Sequence, residues 1–425
     1  EEVILKNQEL KSLQALVSAS SFNLSSKISK RYPSLDIQIN GFPKYVVGKN
    51  FNSNNQNTKT SQFSANPSLN FRLDLLDPIR DSEITIAKEN YKVAKNNFEI
   101  KRKDLIQEAR ARYHKYQKSY QDIGNKKLAL ELSITSLDNA KSKLNAGIGT
   151  RFEVLEADAQ LSRDQQLLNE KKIEHKINRI SLQEILNINN EFEIKKDQKL
   201  VGYWNYKLDK NIKDGLTKNL SLQNTILQRE IKKNQSLSYL NANKPNIYIS
   251  NSFSTGFTKG DAASFSLDSS EYGSSYTNTV SLNFSWNFFN GGQNKNSYKS
   301  SKAEAQAESF SYENLKNILK KNINTSYLNL KLNEEKIISS IKEINSTNES
   351  LRLARLRYDV GVSTLKDVLI RQKELSNAKS KNINAIYNYN LNLDELERLT
   401  FLEKSGECIE NNINKTKKQE SICNI

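Results

Sequence analysis

The sequence contains two related turns, LNAGIGT at residues 144–150 and YDVGVST at residues 358–364. In each turn a glycine ends a long stretch without proline, and a threonine stands three residues after that glycine. The same 214 residues (361 − 147) separate the two glycines and the two threonines. A period of this length indicates two copies of one large unit rather than a solenoid of short repeats.

The composition favours long helices over compact α/β layers. The chain has 425 residues with only 5 prolines and 14 glycines, and its mean hydropathy is −0.71. With two histidines and two cysteines it offers no metal-ligand spacing, so we expect neither a metal nor another cofactor. Cys408 and Cys423 lie in a polar tail, where a disulfide and two free thiols are both compatible with the sequence.

The charge pattern argues against a nucleic-acid partner. The net charge is +16, but lysine and arginine are mixed with acidic residues throughout, without an aromatic-rich basic platform. No run approaches the ~18 apolar residues of a membrane-spanning helix. The chain starts at Glu1 and contains no methionine, so we expect that a targeting segment has been removed.

Each copy begins with a predicted helix, over residues 3–30 in the first copy and 212–241 in the second. Pro33 and Pro245 follow these helices and end them, because proline disfavours the helical conformation of the residue before it.

A β-hairpin follows each opening helix, over about residues 34–76 and about residues 246–289. Its strands of about ten residues alternate apolar and polar side chains, the signature of a strand with two different faces. Polar loops are expected at residues 50–60 and 259–275. The alternation is clearest in the last strand, where every second residue is apolar and a serine or an asparagine lies between each two. The apolar residues are Val280, Leu282, Phe284, Trp286 and Phe288.

Strands of this length and alternation are typical of a transmembrane β-barrel. The alternatives are the edge of a β-sandwich or a hairpin lying on a soluble core. Four strands cannot close a barrel, and an open sheet edge in lipid would leave backbone groups without hydrogen bonds. Several chains must therefore contribute, and three would give twelve strands, within the known even-numbered range.

A long helix follows each hairpin, over residues 79–146 and 293–360, and would reach ~100 Å at 1.5 Å per residue. Shorter return helices are predicted over residues 151–187 and 365–402. The two copies then cover residues 1–190 and 212–402, joined by a linker at 191–211, and a polar tail at 403–425 is expected to be disordered.

On the two turns, their return helices and this repeated order of elements, the sequence resembles the TolC-like family of outer-membrane efflux proteins (outer membrane factors). The resemblance implies a mainly α-helical trimer, with a twelve-stranded β-barrel in the outer membrane continued by a twelve-helix α-barrel across the periplasm. It implies no enzyme activity. It implies a passive exit duct of a tripartite efflux or type I secretion system, which works with a periplasmic adaptor (membrane fusion) protein and an inner-membrane transporter.

The resemblance also implies roles for the turns. They would form the tips that dock onto the adaptor; the alternative is that these residues only cap and reverse the helices. The tip candidates are Ala146, Gly147, Thr150, Val360, Gly361 and Thr364.

Three residues near the turns match the family's closed entrance. Tyr358 matches a gating tyrosine, Glu153 stands at the position of its acidic partner, and Asp367 at that of an acidic constriction. Ile370 occupies the second acidic position, so block by cations should be weaker. Alternatively, Asp367 only complements the positive end of its own helix.

The alternative functions are a soluble coiled-coil scaffold and a periplasmic adaptor. A soluble scaffold would leave three aromatic residues at the end of the last strand exposed without a reason, whereas a girdle at the membrane interface explains them. An adaptor would need a lipoyl-like domain rather than two full copies. Drug, metal, lipid and protein cargoes are all compatible with the sequence. The girdle candidates are Trp286, Phe288 and Phe289.

Overall fold

The computed structural model describes residues 7–51, 57–187, 200–261 and 272–405. Within these ranges the order of helix, two strands, long helix and half-length helix occurs twice, which confirms the predicted mainly α-helical fold with two β-hairpins. The second copy has one extra short helix at its start. The elements are α1 (Gln8–Ser29), β1 (Ser34–Phe51), β2 (Asn57–Leu76), α2 (Arg80–Asn145), α3 (Arg151–Leu186), α4 (Leu208–Lys218), α5 (Leu220–Asn241), β3 (Asn246–Asp261), β4 (Tyr272–Ser285), α6 (Gln293–Asp359) and α7 (Leu365–Thr400).

The helices α2 and α6 contain 66 and 67 residues, and the return helices α3 and α7 contain 36 residues each. None of the helices in the described ranges combines the length and the hydropathy that a membrane-spanning helix needs.

The single helix predicted over residues 212–241 is wrong, because the structure divides this segment into α4 and α5. The break falls at Asn219, whose backbone is extended at φ −72° and ψ 115°. The Asn219 side-chain oxygen accepts a hydrogen bond from the amide of Leu222 at 3.0 Å. An asparagine that caps a new helix in this way competes with continuation of the old one.

The four strands form one antiparallel sheet in the order β1-β2-β3-β4. The strands contain 18, 20, 16 and 14 residues, so the predicted length of about ten residues is wrong. Backbone pairing continues into the segments expected to be polar loops, since Phe51 pairs with Asn57 and Lys259 with Tyr272. These segments are rich in asparagine, serine and glycine, which do not favour strands. The sequence therefore predicted loops where the strands continue.

The second hairpin ends earlier than predicted. The last pair of β3 and β4 joins Asn246 to Ser285, so residues 286–289 have no strand opposite them and are not part of the sheet.

The two faces of the sheet differ in chemistry. The pairs Leu35–Phe71 and Ile249–Leu282 place apolar side chains on one face, and this face carries exposed side chains such as Leu282. The other face carries a hydrogen-bonded polar row: Asn70 donates to Asp36 at 3.3 Å and accepts from Ser252 at 2.8 Å. The alternation predicted from the sequence is therefore present across all four strands.

Contacts group the chain into two compact units that each combine parts of both copies. One contains Glu1–Ala15, Lys95–Asn224 and Ser311–Ile425, as far as these are described, and the other contains Leu16–Ala94 and Thr225–Phe310 with the sheet. The division of the sequence into repeats at 1–190 and 212–402 stays a prediction. Residues 191–199 of the predicted linker and 406–425 of the predicted disordered tail, with both cysteines, lie outside the described residues.

The first unit holds the chain's main apolar clusters. One of them surrounds Trp204, which is 4% exposed and donates to the side chain of Asn211 at 3.3 Å. Trp204 lies in the predicted linker, and its neighbour Tyr203 pairs with Ser405 in an isolated antiparallel bridge. The other buried apolar side chains of the Trp204 cluster come mainly from α6 and α7. They are Leu330, Ile337, Ala385, Tyr389, Leu393, Leu396 and Leu402.

A buried carboxylate lies close to this cluster. Asp394 accepts from His114 Nε2 at 3.0 Å and from Lys404 at 3.0 Å, and Arg110 lies 3.4 Å away. Burial alone would raise the pKa of Asp394, but the hydrogen bond from His114 and the charge of Lys404 lower it below its ordinary value. Ionised Asp394 therefore stabilises the fold at neutral pH.

We predict that Asp394→Asn lowers the free energy of unfolding at pH 7 by about 1–3 kcal/mol, because it removes the buried carboxylate that pairs with Lys404 and accepts from His114. The folded-state pKa is depressed, so the contribution is complete above the unfolded pKa of about 3.9 and is lost as the pH falls through the folded value. The difference between the two proteins should therefore shrink below about pH 4. Denaturant unfolding followed by circular dichroism at pH 7 and pH 3 measures it.

The matched control is Asp158→Asn, which removes an exposed carboxylate on α3 and should change stability by less than about 0.5 kcal/mol at either pH. An equal loss for both variants at pH 7 would contradict the role assigned to Asp394.

Candidate functional site

The two turns have the same backbone geometry. Gly147 and Gly361 adopt φ values of 74° and 79°, in the left-handed region. The amide of Ile148 bonds to Lys143 O at 3.0 Å, and that of Val362 to Arg357 O at 2.8 Å, the six-to-one bond of a Schellman cap. A side chain at either glycine would meet nothing within 4 Å, so conformation and not space favours glycine here.

Each return helix begins with a capping box. Thr150 Oγ1 accepts from the amide of Glu153 at 3.2 Å, and Glu153 Oε2 accepts from the amide of Thr150 at 3.3 Å. Thr364 and Asp367 repeat this exchange at 3.4 and 3.2 Å. The carboxylates of Glu153 and Asp367 therefore satisfy backbone donors at the positive ends of α3 and α7.

An apolar cluster brings the two turns to the same end of the first unit. It contains side chains from the last turns of α2 and α6 and from the first turns of α3 and α7. Because all four helices contribute, the two turns cannot move apart without exposing this core. Its buried members are Leu137, Ala140, Ala157, Leu351, Tyr358, Leu365, Val368 and Leu375.

The outer surface of the turns is apolar and exposed. Ile148 is 77% exposed and Val360 74% exposed, and Phe152 and Val362 are exposed as well. The six predicted tip residues lie in these turns, and all of them are exposed. Ile148 and Val362 lie within the turns predicted as tips, residues 144–150 and 358–364, although they were not among the six named candidates. Phe152 lies just beyond the first turn and outside the prediction. Exposed apolar side chains grouped at one end of a unit are typical of a protein-binding site.

Tyr358 lies under the turns, 4% exposed, with its hydroxyl buried. Among the described residues this hydroxyl has no hydrogen-bond partner, and Glu153 is engaged with Thr150 instead. Burial raises the pKa of Tyr358, and the charges of Glu153 and Asp359 add to the effect, so the phenol stays neutral.

Lys143, in the last turn of α2, contacts Tyr358. This contact was not predicted from the sequence. The Lys143 ammonium lies 3.7 Å from the centre of the Tyr358 ring and donates to the carbonyl of the same residue. These two contacts join the end of α2 to the end of α6. A lysine four residues before the capping glycine gives no distinctive sequence signal, since lysine is common throughout the chain.

The girdle candidates belong to the other unit and follow β4. Trp286, Phe288 and Phe289 are exposed, and the rings of Trp286 and Phe288 lie 5.8 Å apart. Trp286 Nε1 donates to the carbonyl of Asn243 at 2.8 Å. An exposed aromatic group with an anchored polar end suits a membrane interface.

The described residues contain no group of three or more histidine, cysteine, aspartate or glutamate side chains placed to hold a metal ion.

Residues 1–187 and 243–400 match the family model described as outer membrane efflux protein. Comparison with curated proteins finds no match.

Solved structures resemble the chain over most of its length. The outer membrane protein VceC from Vibrio cholerae has 14% identity and a TM-score of 0.78, covering 94% of each chain. The CmeC outer membrane channel of Campylobacter jejuni has 18% identity and a TM-score of 0.77, covering 94% of this chain and 84% of that one. The MtrE outer membrane channel of Neisseria gonorrhoeae has 15% identity and a TM-score of 0.67, covering 94% and 87%. At these identities the likeness is one of fold.

We predict that Tyr358→Phe leaves the free energy of unfolding unchanged or raises it by up to about 1 kcal/mol, because it removes a buried hydroxyl without a partner. The matched control is Tyr389→Phe. The Tyr389 hydroxyl is also buried but donates to the carbonyl of Gly202 at 3.1 Å, so its loss should cost about 1 kcal/mol. Thermal unfolding followed by circular dichroism compares the two variants. A larger loss for Tyr358→Phe than for Tyr389→Phe would show that the Tyr358 hydroxyl makes a hydrogen bond.

Proposed function

Because the chain belongs to the outer membrane efflux protein family, we propose that three copies of it form the passive exit duct of a tripartite efflux or type I secretion system. The family places the protein in the outer membrane. In the proposed assembly the three sheets close a twelve-stranded barrel, and the helices continue it into the periplasm.

The observation that carries the proposal is the four-stranded sheet with different faces. Its apolar face leaves large side chains in solvent, among them Ile37, Val280 and Leu282. Burial of such a surface in lipid is favourable by roughly 25 cal/mol per Å². Its polar face, with hydrogen-bonded pairs such as Ser250–Ser281 at 2.8 Å, suits a water-filled lumen.

The edges of the sheet support the assembly of several chains. Strands β1 and β4 each have one neighbour within the sheet, so each leaves one row of backbone groups available for pairing. Lipid offers these groups no hydrogen bonds. In the proposed trimer, β1 of one copy pairs with β4 of the next, and no edge remains.

The turns support the second part of the proposal, which is docking of a periplasmic adaptor. Ile148 and Val362 project from rigid capped turns at one end of the unit, so a partner helix would meet a preformed apolar surface. The capping role and the docking role are compatible. The capping bonds use backbone groups and the side chains of Thr150, Glu153, Thr364 and Asp367, whereas docking would use the exposed apolar groups.

We predict that a photoreactive amino acid placed at Ile148 or at Val362 in living cells cross-links the protein to a periplasmic adaptor, identified by mass spectrometry. The matched control is the same residue at Ile180, which is 62% exposed on α3 and away from the turns. It should give no adaptor product. Adaptor cross-links that are equally strong at all three positions, or absent from both turns, would contradict docking through the turns.

We also propose that three copies of Asp367 surround the narrow entrance and attract cations. Asp367→Asn removes the charge but keeps an oxygen that can accept from Thr364, so the capping box is preserved. The ratio of cation to anion permeability should fall by roughly fivefold, equivalent to about 1 kcal/mol. Reversal potentials of single channels in planar bilayers measure this ratio. Block of the wild-type channel by multivalent cations should be weak, because Ile370 offers no second charge.

The control is Asp158→Asn, which also removes one exposed carboxylate, but from α3. It should leave the permeability ratio unchanged. An unchanged ratio in Asp367→Asn would show that Asp367 acts only as a helix cap.

A further inference from the structure

A cavity of about 300 Å³ lies beside the C-terminal end of α7, within the first unit. It lies away from the turns and is not used by the proposed duct mechanism. One part of its wall is apolar and consists of Ile106, Phe401 and Leu402. The rest is charged and consists of Arg102, Lys103, Arg110, Asp394, Glu397, Arg398 and Glu403, with Gln107 between them.

Three of the four cations in this wall are held by carboxylates. Arg102 pairs with Glu99 at 2.9 Å, and Arg398 with Asp104 at 2.7 Å. Arg110 pairs with Glu397. Their positions are fixed by these pairs, and their charges are largely compensated.

Lys103 differs from these three arginines. No carboxylate of the described residues lies within ion-pair distance of its ammonium, which instead lies 3.9 Å from the centre of the Phe401 ring. Burial, followed by the positive charge of Arg398, lowers the pKa of Lys103 below its ordinary value. The negative charge of Glu99, which pairs with Arg102, acts in the opposite direction but more weakly. The cavity therefore contains a partly buried cation without a carboxylate in direct contact.

Phe401 is the C-cap of α7. Its φ of 57° lies in the left-handed region, in which helices commonly end, and its amide bonds to Glu397 O at 3.0 Å. This cap turns the chain at the end of α7. In this position the ring of Phe401 forms the aromatic wall of the cavity, next to Lys103.

From this arrangement we propose that the cavity is a binding site for a small monocarboxylate with an aromatic or short apolar body. Its carboxylate pairs with Lys103, and its body packs on Phe401, Ile106 and Leu402. A single charge suits the site, because Asp394, Glu397 and Glu403 also line it and repel a dianion. The volume is at the lower end of the range for small-molecule sites.

Isothermal titration calorimetry of the full chain in an uncharged detergent tests the proposal with 3-phenylpropionate as the probe. The neutral analogue 3-phenylpropan-1-ol has the same body without the charge. We expect the acid to bind at least about tenfold more tightly than the alcohol, the size of one charge-assisted hydrogen bond.

Two variants assign the binding to this cavity. Lys103→Gln should weaken binding of the acid by about tenfold or more and should leave the alcohol unaffected. Phe401→Leu should weaken both ligands, because it removes the aromatic wall. Circular dichroism verifies that each variant is folded.

The matched control is Lys321→Gln, an exposed lysine on α6 outside the cavity, which should bind the acid like the wild type. Three results would each overturn the proposal: no binding of the acid to the wild type up to its solubility limit, equal affinities for acid and alcohol, or an unchanged affinity in Lys103→Gln.

Discussion

The four-stranded sheet has two open backbone edges, and these edges limit how the chain can enter a membrane. A sheet with one apolar face gains free energy by placing that face in lipid, but lipid cannot satisfy the edge groups of β1 and β4. Only closure with further strands meets both requirements. The chain supplies four strands, so closure has to come from other copies, and the long helices that follow each hairpin are carried into the assembly with them.

The turns show how one short segment serves two purposes. The left-handed glycine of each turn lets backbone amides bond to the last carbonyls of one helix, and the threonine side chain accepts from an amide at the start of the next. This leaves the isoleucine and valine side chains beside the glycine free of any capping role. A rigid backbone with exposed apolar groups loses little conformational entropy when a partner binds, which favours a surface of this kind for docking.

Much of the fold was accessible from the sequence because its signals are local. The glycines at 147 and 361, the threonines three residues later and the period of two along residues 280–285 each specify a geometry through short-range physics. The places where the prediction failed depend on pairing instead. The length of each strand is set by the strand opposite it, and Asn219 ends a helix through its own side chain.

The site was less accessible for the same reason. The contacts of Lys143 with Tyr358 join residues from opposite halves of the chain, and no spacing rule in the sequence indicates them. Glu153 also stands where the resemblance suggests a partner for Tyr358, yet its carboxylate caps its own helix. A local capping bond and a distant hydrogen bond compete for one carboxylate, and only the structure shows which one forms.

Closure of the sheet edges requires a fixed number of copies, and native mass spectrometry of the protein extracted from the outer membrane counts them. Closure of the sheet into a twelve-stranded barrel predicts a single species of three identical chains that stays intact in detergent. A monomer or dimer that remains dispersed in water without detergent would contradict it, because such a protein would have no closed barrel and no apolar face in lipid.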